Sequence, residues 1–307
     1  MMVLGRLVWM NGEFVELKSA KVPFMTATLH YGVGVFEGIA AYPKNRNLCI
    51  FRLGDHVERL FQSAKVYDVR LPFSKEDICR GVKETFKVND FHKRCYVRLL
   101  AYKGELSEFG VKQSYNTPTE VAILASSKDS FVGTQEFEKG KSAIISSWRR
   151  ISPDVMPATA KCVANYANSA LGLMEARERK ADYVVFLDTR GFLSEGFAQN
   201  IFVVNKGRLM TPPTFASILM GITRDTVIRL ARDLGYEILE KDITRSELHT
   251  SEEIFLCGTA AEIAPIVSVD GMQISESAGE VTRKIASRYG KLVTGNLPGY
   301  EDWLTLI

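Results

Sequence analysis

The chain has 307 residues, of which 46% are hydrophobic and 24% charged, and its formal net charge is +3. This is an ordinary globular profile with room for a sizeable core and two domains. The small charge without a basic run argues against nucleic acid, and no stretch approaches the roughly 18 apolar residues of a membrane-spanning helix. The first residues do not look like a signal peptide, and the five scattered cysteines argue against a zinc site or disulfide framework. We therefore expect a reduced, cytoplasmic protein.

Several turn sequences predict β-hairpins. Asn11-Gly12, the segment 205–207 and Asp270-Gly271 each lie between apolar runs and contain residues that tolerate positive φ. The segment 182–196 similarly predicts a strand, a turn and a second strand. Strands are thus expected in both halves of the chain.

Apolar spacing at i, i+3, i+4 and i+7 predicts helices between these hairpins. Ser74 with Asp77 resembles a capping box, which places a helix start there. Helices are expected over 55–68, from Ser74 to about Val88, from about Val163 to Lys180, along Val227–Leu234 with Gly235 as the stop, and near the C-terminus up to Gly290.

The polar segment 126–142 interrupts strand-like runs and contains the predicted interdomain linker. Strands and helices alternate on both sides of it, without repeats. We therefore predict a mixed α/β fold in two parts. A smaller N-terminal domain is expected over 1–127, a linker over 128–138 and a larger C-terminal domain over 139–307.

One lysine has unusual surroundings. Lys161 is the sole charged residue between Asp154 and Glu175, among small, apolar or amide side chains. From the residue type alone, the commoner explanation is a buried stem with its amine in water. The chemical alternative is a desolvated amine, which becomes a nucleophile and can form a Schiff base with a carbonyl compound.

Other motifs admit both a chemical and a structural explanation. The glycine-led turn at Thr223 runs into a helix, whose N-terminus suits a phosphate, although the threonine can simply cap it. The small residues 258–261 leave room for a ligand or form a tight turn. Glu195, in an apolar run, needs a partner such as a ring nitrogen or a salt bridge. Taken alone, Arg59 and Arg224 are expected to be solvated surface residues.

The glycines of HYGVGVFEG miss the dinucleotide-binding pattern by one residue, so no Rossmann domain is expected. They more simply form a bend or let the backbone pass close to another group. The four histidines lack metal-ligand spacing, and no Ser/His/Asp signature is visible. We predict no metal site.

The order of the motifs is more specific than any one of them. HYGxxVFEG is followed by F-R…HxxRL, YxR, a lysine in PxxAK…NY, SEG…NIF, GITRD and GTAAEI. This order, from about Val8 to Arg283, resembles the class IV, fold-type IV aminotransferases, and within them the branched-chain amino acid aminotransferase group. The resemblance implies a pyridoxal 5′-phosphate (PLP) enzyme that moves the amino group of L-leucine, L-isoleucine or L-valine to 2-oxoglutarate by a ping-pong mechanism.

The resemblance also implies roles for individual residues. Lys161 matches the catalytic lysine that binds PLP covalently and moves the proton during the reaction. Glu195 matches the carboxylate paired with the pyridine nitrogen, and Tyr166 the tyrosine that hydrogen-bonds the phenolic oxygen. The implied phosphate ligands are Arg59, Ile222, Thr223 and Thr259.

The implied substrate pocket is aromatic and apolar, and Arg98 matches a basic residue that takes the γ-carboxylate of glutamate. Amino acids and 2-oxo acids are the implied partners. A homodimer is the implied minimal unit, in which the loop 104–111 closes the pocket of the neighbouring subunit. The implied substrate residues are Tyr31, Phe36, Gly38, Tyr96, Arg98, Thr259 and Ala260.

Three departures from the family pattern bear on specificity. Ala40 stands where family members commonly have arginine, and the loop 104–111 is atypical. The sequence KDSF at 128–131 replaces an aromatic-rich stretch, with Phe131 in place of a tyrosine. The reaction type is less affected by these departures than the choice of side chain.

Other enzymes of the same fold type remain as alternatives: D-amino acid aminotransferases, (R)-amine aminotransferases and aminodeoxychorismate lyase. The motifs YGVGVFEGI and YVR favour the branched-chain group. A non-catalytic PLP carrier is the alternative outside the enzymes. Its cofactor absorbance would persist when an amino donor is added.

Overall fold

The computed structural model describes residues 3–127, 129–130 and 132–307. They group into two compact units, each made of discontinuous segments. The first unit runs to Asp129 and also takes in Ala160–Ala164 and Val293–Ile307, and the second comprises Ser130–Thr159 and Asn165–Leu292. The predicted linear boundaries at 127 and 138 stay a prediction. The segment that contains Lys161 belongs to the first unit, although the sequence placed it in the C-terminal domain.

The first unit is an antiparallel sheet with two long helices. Its strands are β1 (Val3–Leu4), β2 (Leu7–Met10), β3 (Glu13–Glu16), β4 (Gly34–Lys44), β5 (Asn47–Phe51), β6 (Cys95–Lys103), β7 (Thr119–Ser127) and β17 (Leu304–Leu306). They follow the order β17-β5-β4-β6-β7-β2-β3, and β1 pairs with β7. Its helices are α1 (Ala27–Tyr31), α2 (Leu53–Val66), α3 (Lys75–Val88) and α4 (Gln113–Asn116).

Side-chain periodicity explains how this unit is held together. Alternate residues of β4 such as Val35 and Ile39 pack in the hydrophobic core with Leu60 of α2, as the periods of two and 3.6 require. The predicted capping box is confirmed, because Ser74 Oγ accepts the Asp77 N–H while Asp77 Oδ2 accepts the Ser74 N–H, each at 3.1 Å. The sheet, α2 and α3 thus enclose one core.

The second unit is a mixed sheet in the order β10-β9-β8-β15-β14-β11-β12-β13, with β16 paired to β15. The pairs β8–β9, β8–β15 and β12–β13 are parallel. Its strands are β8 (Lys141–Arg149), β9 (Tyr183–Leu187), β10 (Leu193–Gly196), β11 (Asn200–Asn205), β12 (Arg208–Thr211), β13 (Ile238–Glu240), β14 (Glu253–Gly258), β15 (Glu262–Val269) and β16 (Met272–Gln273). Its helices are α5 (Gln135–Lys139), α6 (Tyr166–Glu178), α7 (Ile222–Asp233), α8 (Arg245–His249) and α9 (Glu280–Val293).

The predicted hairpins are confirmed, because β2–β3, β9–β10, β11–β12 and β15–β16 are antiparallel pairs. Turn residues Asn11 and Asp270 have φ of 50° and 52°. The predicted helices are present, and the mixed α/β fold is confirmed. One helix end is wrong: α9 continues past Gly290 to Val293, since a helical glycine costs only about 1 kcal/mol relative to alanine.

All five cysteines are free thiols. Within 3–127, 129–130 and 132–307, no helix has the length and apolar character needed to cross a membrane. In the same ranges, no group of three or more histidine, cysteine, aspartate or glutamate residues is placed to hold a metal ion.

Candidate active site

Lys161 lies in a short extended segment beside β4 of the first unit. Its carbonyl accepts the Phe36 N–H at 3.0 Å, and Val163 N–H donates to the Gly34 carbonyl at 2.9 Å. Its own N–H donates to Ser63 Oγ of α2 at 3.0 Å. The half-buried side chain places Nζ 4.9 Å from the Phe36 ring centroid. A strand and a helix therefore fix the backbone of this lysine, and its amine lies over an aromatic face.

Phe36 also contacts Arg98, whose guanidinium carbon lies 4.4 Å from the same ring centroid. Arg98 Nη2 donates to Tyr96 Oη at 3.4 Å. Gly38 pairs with Arg98 across β4 and β6, and a Cβ at position 38 would lie 2.0 Å from Tyr96 Oη. The tyrosine thus occupies space that only glycine leaves. The structure brings Phe36, Gly38, Tyr96 and Arg98 together with Lys161.

Tyr31 ends α1 and holds the loop 104–111 of its own chain. Its Oη accepts the Gly110 N–H at 2.9 Å, and the rings of His30 and Phe109 lie 5.9 Å apart. The Phe109 side chain is 71% exposed. The expected role of this loop at a neighbouring subunit stays a prediction.

Arg59 is not the surface arginine that its residue type suggested, since its side chain is only 12% exposed. Its Nε and Nη2 donate to the two oxygens of Glu37 at 2.6 and 2.8 Å. Glu37 is fully buried and also pairs with His56 Nδ1 at 2.7 Å. Burial alone would raise the pKa of Glu37, but Arg59 and His56 outweigh it and lower that pKa well below its usual value. The carboxylate is therefore ionised at neutral pH.

Sequence reasoning gave no role to Glu37 or His56. The available signal was a lone carboxylate in the otherwise uncharged strand sequence 34–43. A charged residue at a core-facing position of a strand requires a buried partner. The partner could not be identified from the sequence, because His56 and Arg59 carry no local mark of burial.

In the second unit, Glu195 is buried and surrounded by donors. Arg150 donates to Oε1 from Nε at 3.0 Å, and its Nη2 lies 2.9 Å from the same oxygen. The other oxygen accepts Asn200 Nδ2 at 3.2 Å and the Leu219 N–H at 3.0 Å. The salt bridge considered for Glu195 is thus present, and the carboxylate is held from both sides.

Arg150 also reaches the helix that begins at Tyr166. Its Nη1 donates to Asn168 Oδ1 at 3.1 Å and to Ser169 Oγ at 3.3 Å. One guanidinium therefore links the strand of Glu195 to the first turns of α6. Sequence reasoning missed this arginine, which stands in a polar run and resembles a surface residue.

Thr223 is the second residue of α7, and Gly221 occupies the N-cap. The structural explanation of Thr223 as the cap is therefore wrong. Asn200 fixes the preceding turn, because its Nδ2 donates to the Leu219 carbonyl at 2.9 Å. A Cβ at Gly221 would lie 1.9 Å from Asn200 Oδ1. The turn needs glycine and leads into a helix N-terminus, which attracts anions.

Thr259 and Ala260 lie in the tight turn between β14 and β15. A Cβ at Gly258 would lie 3.2 Å from the Ala198 carbonyl oxygen, so this turn packs on the loop that follows Glu195. Arg150 links Glu195 to α6, the helix that begins at Tyr166, and Asn200 links Glu195 to the turn that precedes Ile222 and Thr223. Asn200 also pairs with Cys257 in β14, the strand that leads into Thr259 and Ala260.

Arg224 is a correction, because it is buried rather than solvated. Its Nη2 donates to Glu240 Oε2 at 2.7 Å and to the Pro212 carbonyl at 2.9 Å. The first turn of α7 faces the end of β12 and β13, so an arginine there anchors the helix. The position of a residue in the first turn of a helix does not by itself show whether its side chain faces solvent or another element.

The atypical stretch 128–131 is described in part. Lys128 and Phe131 lie outside the described residues, so the expectation for Phe131 stays a prediction. Ser130 Oγ donates to Glu262 Oε2 at 2.6 Å. Ala40 is buried in β4 opposite Tyr96.

Residues 34–269 match the family model for class IV aminotransferases, and the chain belongs to that family. It is 38% identical over 298 residues to the branched-chain-amino-acid aminotransferase of Escherichia coli strain K12, covering 97% of this chain and 96% of that protein. The branched-chain aminotransferase of Thermoproteus uzoniensis, solved with norvaline, is 41% identical with a TM-score of 0.91, covering 98% of this chain and 99% of that one. The branched-chain amino acid aminotransferase of Thermobaculum terrenum, solved in its PLP form, is 34% identical with a TM-score of 0.91, covering 99% of this chain and 98% of that one.

Proposed function

We propose that the chain is a branched-chain amino acid aminotransferase, which transfers the amino group of L-leucine, L-isoleucine or L-valine to 2-oxoglutarate with PLP as cofactor. The nearly full-length relatives support the reaction type. The observation that carries the substrate class is the Phe36 ring, which contacts both the amine of Lys161 and the guanidinium of Arg98. When bound, PLP withdraws electrons from the substrate α-carbon and stores the amino group between the two half-reactions.

The donor set of the chain fits this cofactor. Lys161 supplies an amine for its aldehyde, and the proposed phosphate ligands are Arg59, Thr259 and the α7 N-terminus at Ile222 and Thr223. The rigidly held carboxylate of Glu195 suits a protonated pyridine nitrogen, and the Tyr166 hydroxyl suits the phenolic oxygen. A side chain at Gly221 would strike Asn200 Oδ1, so the turn before α7 requires glycine, and the helix N-terminus that follows this turn favours a phosphate.

Lys161 is the proposed general base and acid. Its Nζ would take the proton from the substrate α-carbon and deliver it to the cofactor carbon that keeps the amino group. Because strand and helix hydrogen bonds fix the backbone at 161, the amine moves by side-chain rotation alone. A short tether of this kind gives high effective concentration.

One pocket must accept both a branched alkyl group and a carboxylate. Phe36 and Tyr96 offer apolar surface to valine, leucine and isoleucine, and the absence of a side chain at Gly38 lets the Tyr96 hydroxyl pack against β4. Arg98 is an exposed residue, and arginine binds a carboxylate through two parallel hydrogen bonds. We propose that Arg98 turns toward the γ-carboxylate of glutamate and away from a branched side chain.

The test is a donor comparison with 2-oxoglutarate as acceptor. With PLP present, L-leucine should produce glutamate, whereas D-alanine should produce none above background. Reaction with D-alanine alone would contradict the pocket and favour a D-amino acid aminotransferase. Persistent cofactor absorbance with every amino donor would instead indicate a carrier without catalysis.

We propose a homodimer in the cytoplasm. The free state of all five cysteines suits a reducing compartment. Phe24 and Phe109 are 81% and 71% exposed, an unusual apolar surface that a second copy would cover. The dimer is the minimal unit of this proposal, which also allows a larger homo-oligomer built from it. Light scattering across a hundredfold range of protein concentration should give twice the mass of the chain or an even multiple of it, and a constant single-chain mass would contradict the proposal.

A further inference from the structure

The first unit contains a buried polar cluster of Glu37, His56 and Arg59, and the proposed reaction gives a direct role to Arg59 alone. Glu37 occupies a core-facing position of β4 between Val35 and Ile39, and it is 0% exposed. A buried ion pair rarely adds net stability, because desolvation of both charges offsets their attraction. The cluster therefore calls for a reason other than stability.

His56 orients the carboxylate. Burial lowers the pKa of His56, and the nearby cations Arg59 and Lys161 lower it further, against the opposing effect of Glu37. The ring is therefore neutral at pH 7. Because an ionised carboxylate can only accept, we assign the proton to Nδ1, which donates to Glu37 Oε2 at 2.7 Å. Glu37 thus accepts this donor together with two from Arg59.

The same helix and strand that carry this cluster also hold Lys161. His56, Arg59 and Ser63 follow one face of α2 at helical spacing. Ser63 accepts the Lys161 N–H at 3.0 Å, while the neighbour of Glu37 in β4, Phe36, donates to the Lys161 carbonyl at 3.0 Å. The guanidinium of Arg59 and the backbone of Lys161 therefore share one framework.

We propose that Glu37, supported by His56, is a positioning residue: it fixes the Arg59 guanidinium so that this group meets the cofactor phosphate at a set distance from Lys161. The proposal rests on the proposed function, since it takes Arg59 as a phosphate ligand. Two hydrogen bonds donated by Nε and Nη2 fix the plane of a guanidinium. Arginine would otherwise lose rotamer entropy at every binding event.

A purely electrostatic role predicts the opposite effects. If Glu37 merely neutralised Arg59, Glu37→Gln would release positive charge and tighten phosphate binding. Glu37→Asp would then change nothing, because it keeps the charge. A positioning role predicts that both variants weaken binding, since the amide loses one acceptor oxygen and the aspartate is one methylene too short.

The experiment measures the dissociation constants of PLP and of pyridoxal, which lacks the phosphate, on the full-length chain freed of cofactor. The dissociation constant of pyridoxal divided by that of PLP reports the phosphate contribution alone, and a smaller ratio means weaker phosphate binding. We expect Glu37→Asp and Glu37→Gln to reduce this ratio about tenfold, as for loss of one charge-assisted hydrogen bond. His56→Gln, which keeps the ion pair, should reduce it by about threefold.

A double-mutant cycle links the effect to Arg59. In an Arg59→Gln background, Glu37→Gln should leave the ratio unchanged. Glu253→Gln is the matched control, because Glu253 is also buried and accepts the Val281 N–H, the Thr282 N–H and Thr282 Oγ1. It should lower thermal stability without altering the ratio.

An unchanged or increased ratio in both Glu37 variants would overturn the proposal, as would an equal loss in the Arg59→Gln background. If Glu37→Gln does not fold, Glu37→Asp and His56→Gln decide the same question. Failure of the proposed function is distinguishable, because the wild-type chain itself would then show no preference for PLP over pyridoxal.

Discussion

Each unit contains a buried arginine–glutamate pair. The residue that we propose to bind the cofactor is the arginine in the first unit and the glutamate in the second. In the first unit, Arg59 is the proposed cofactor ligand and Glu37 is the more enclosed partner, with side chains 12% and 0% exposed. In the second unit, Glu195 is the proposed cofactor ligand and Arg150 supports it, with side chains 4% and 7% exposed. A buried arginine–glutamate pair can therefore offer either its positive or its negative member to a ligand.

What differs is the way each supporting residue is anchored. Glu37 is oriented by His56, a neutral donor, whereas Arg150 is oriented by the side chains of Asn168 and Ser169 on α6. Buried pairs of this kind add little net stability, so their value lies in direction. In the proposed site, the arginine of one pair would face the anionic phosphate and the glutamate of the other would face the protonated ring nitrogen.

The largest expected effect concerns Lys161, which neither pair can replace. Lys161→Ala should lower kcat for L-leucine by more than about 1,000-fold, because proton transfer and covalent attachment are both lost. A coupled assay of glutamate formation measures this loss. Retention of more than a tenth of the activity would refute the assignment of the catalytic base, whatever the two pairs do.

The next largest effect concerns kcat after substitution of Glu195 or of Arg150, the residue that supports it. Glu195→Gln should lower kcat about 100-fold and Arg150→Gln about tenfold, as expected when a direct and an indirect charge-assisted contact are lost. Steady-state kinetics of both variants at saturating PLP give the comparison. A greater loss for Arg150→Gln would reverse the roles within this pair, and Glu253→Gln should leave kcat unchanged.

A smaller effect concerns the pocket beside the first pair. Gly38→Ala places a Cβ 2.0 Å from Tyr96 Oη, so Tyr96 must move and the KM for L-leucine should rise about tenfold. Gly54→Ala is the control in the same unit, since its Cβ meets nothing within 4 Å. Equal KM values for both variants would show that Tyr96 does not line the substrate pocket.

The smallest effect is a pH dependence of stability. The folded-state pKa of His56 lies below its ordinary value of 6.5 because the ring is buried. Below pH 6.5 the unfolded chain therefore takes up a proton that the folded chain refuses, and stability falls as the pH falls, by at most about 1.4 kcal/mol per pH unit. The lowered pKa of Glu37 keeps that group ionised through this window.

Urea unfolding at pH 7 and pH 5 measures this dependence. His56→Gln should flatten it, whereas His92→Gln, at an exposed histidine, should not. An identical slope in wild type and His56→Gln would mean that folding does not shift the pKa of His56, which would contradict the lowered pKa of a buried neutral ring.

The sequence predicted the elements that depend on local pattern. Asn11-Gly12 and Ser74 with Asp77 marked a hairpin and a helix start because turn and cap chemistry is local. The end of α9 was missed at Gly290, where tertiary packing outweighs the propensity of glycine. The Lys161 segment lies beside β4, which is distant from it in the chain, so no local sequence pattern predicts this contact.

The candidate site divides in the same way. Lys161, Arg59 and Glu195 were identified through a resemblance in the order of motifs. Their supporting partners Glu37 and Arg150 were not, since a buried ion pair depends on which strand faces which helix. Arg224 was predicted to be solvated for the same reason, because its partner Glu240 is contributed by another strand.

Borohydride reduction of the PLP-loaded protein, followed by peptide mapping, tests the covalent attachment on which the proposed reaction depends. Reduction makes the lysine–cofactor bond permanent, and the phosphopyridoxyl group should be found on Lys161 alone. Modification of a different lysine, or of none, would contradict the account at its centre.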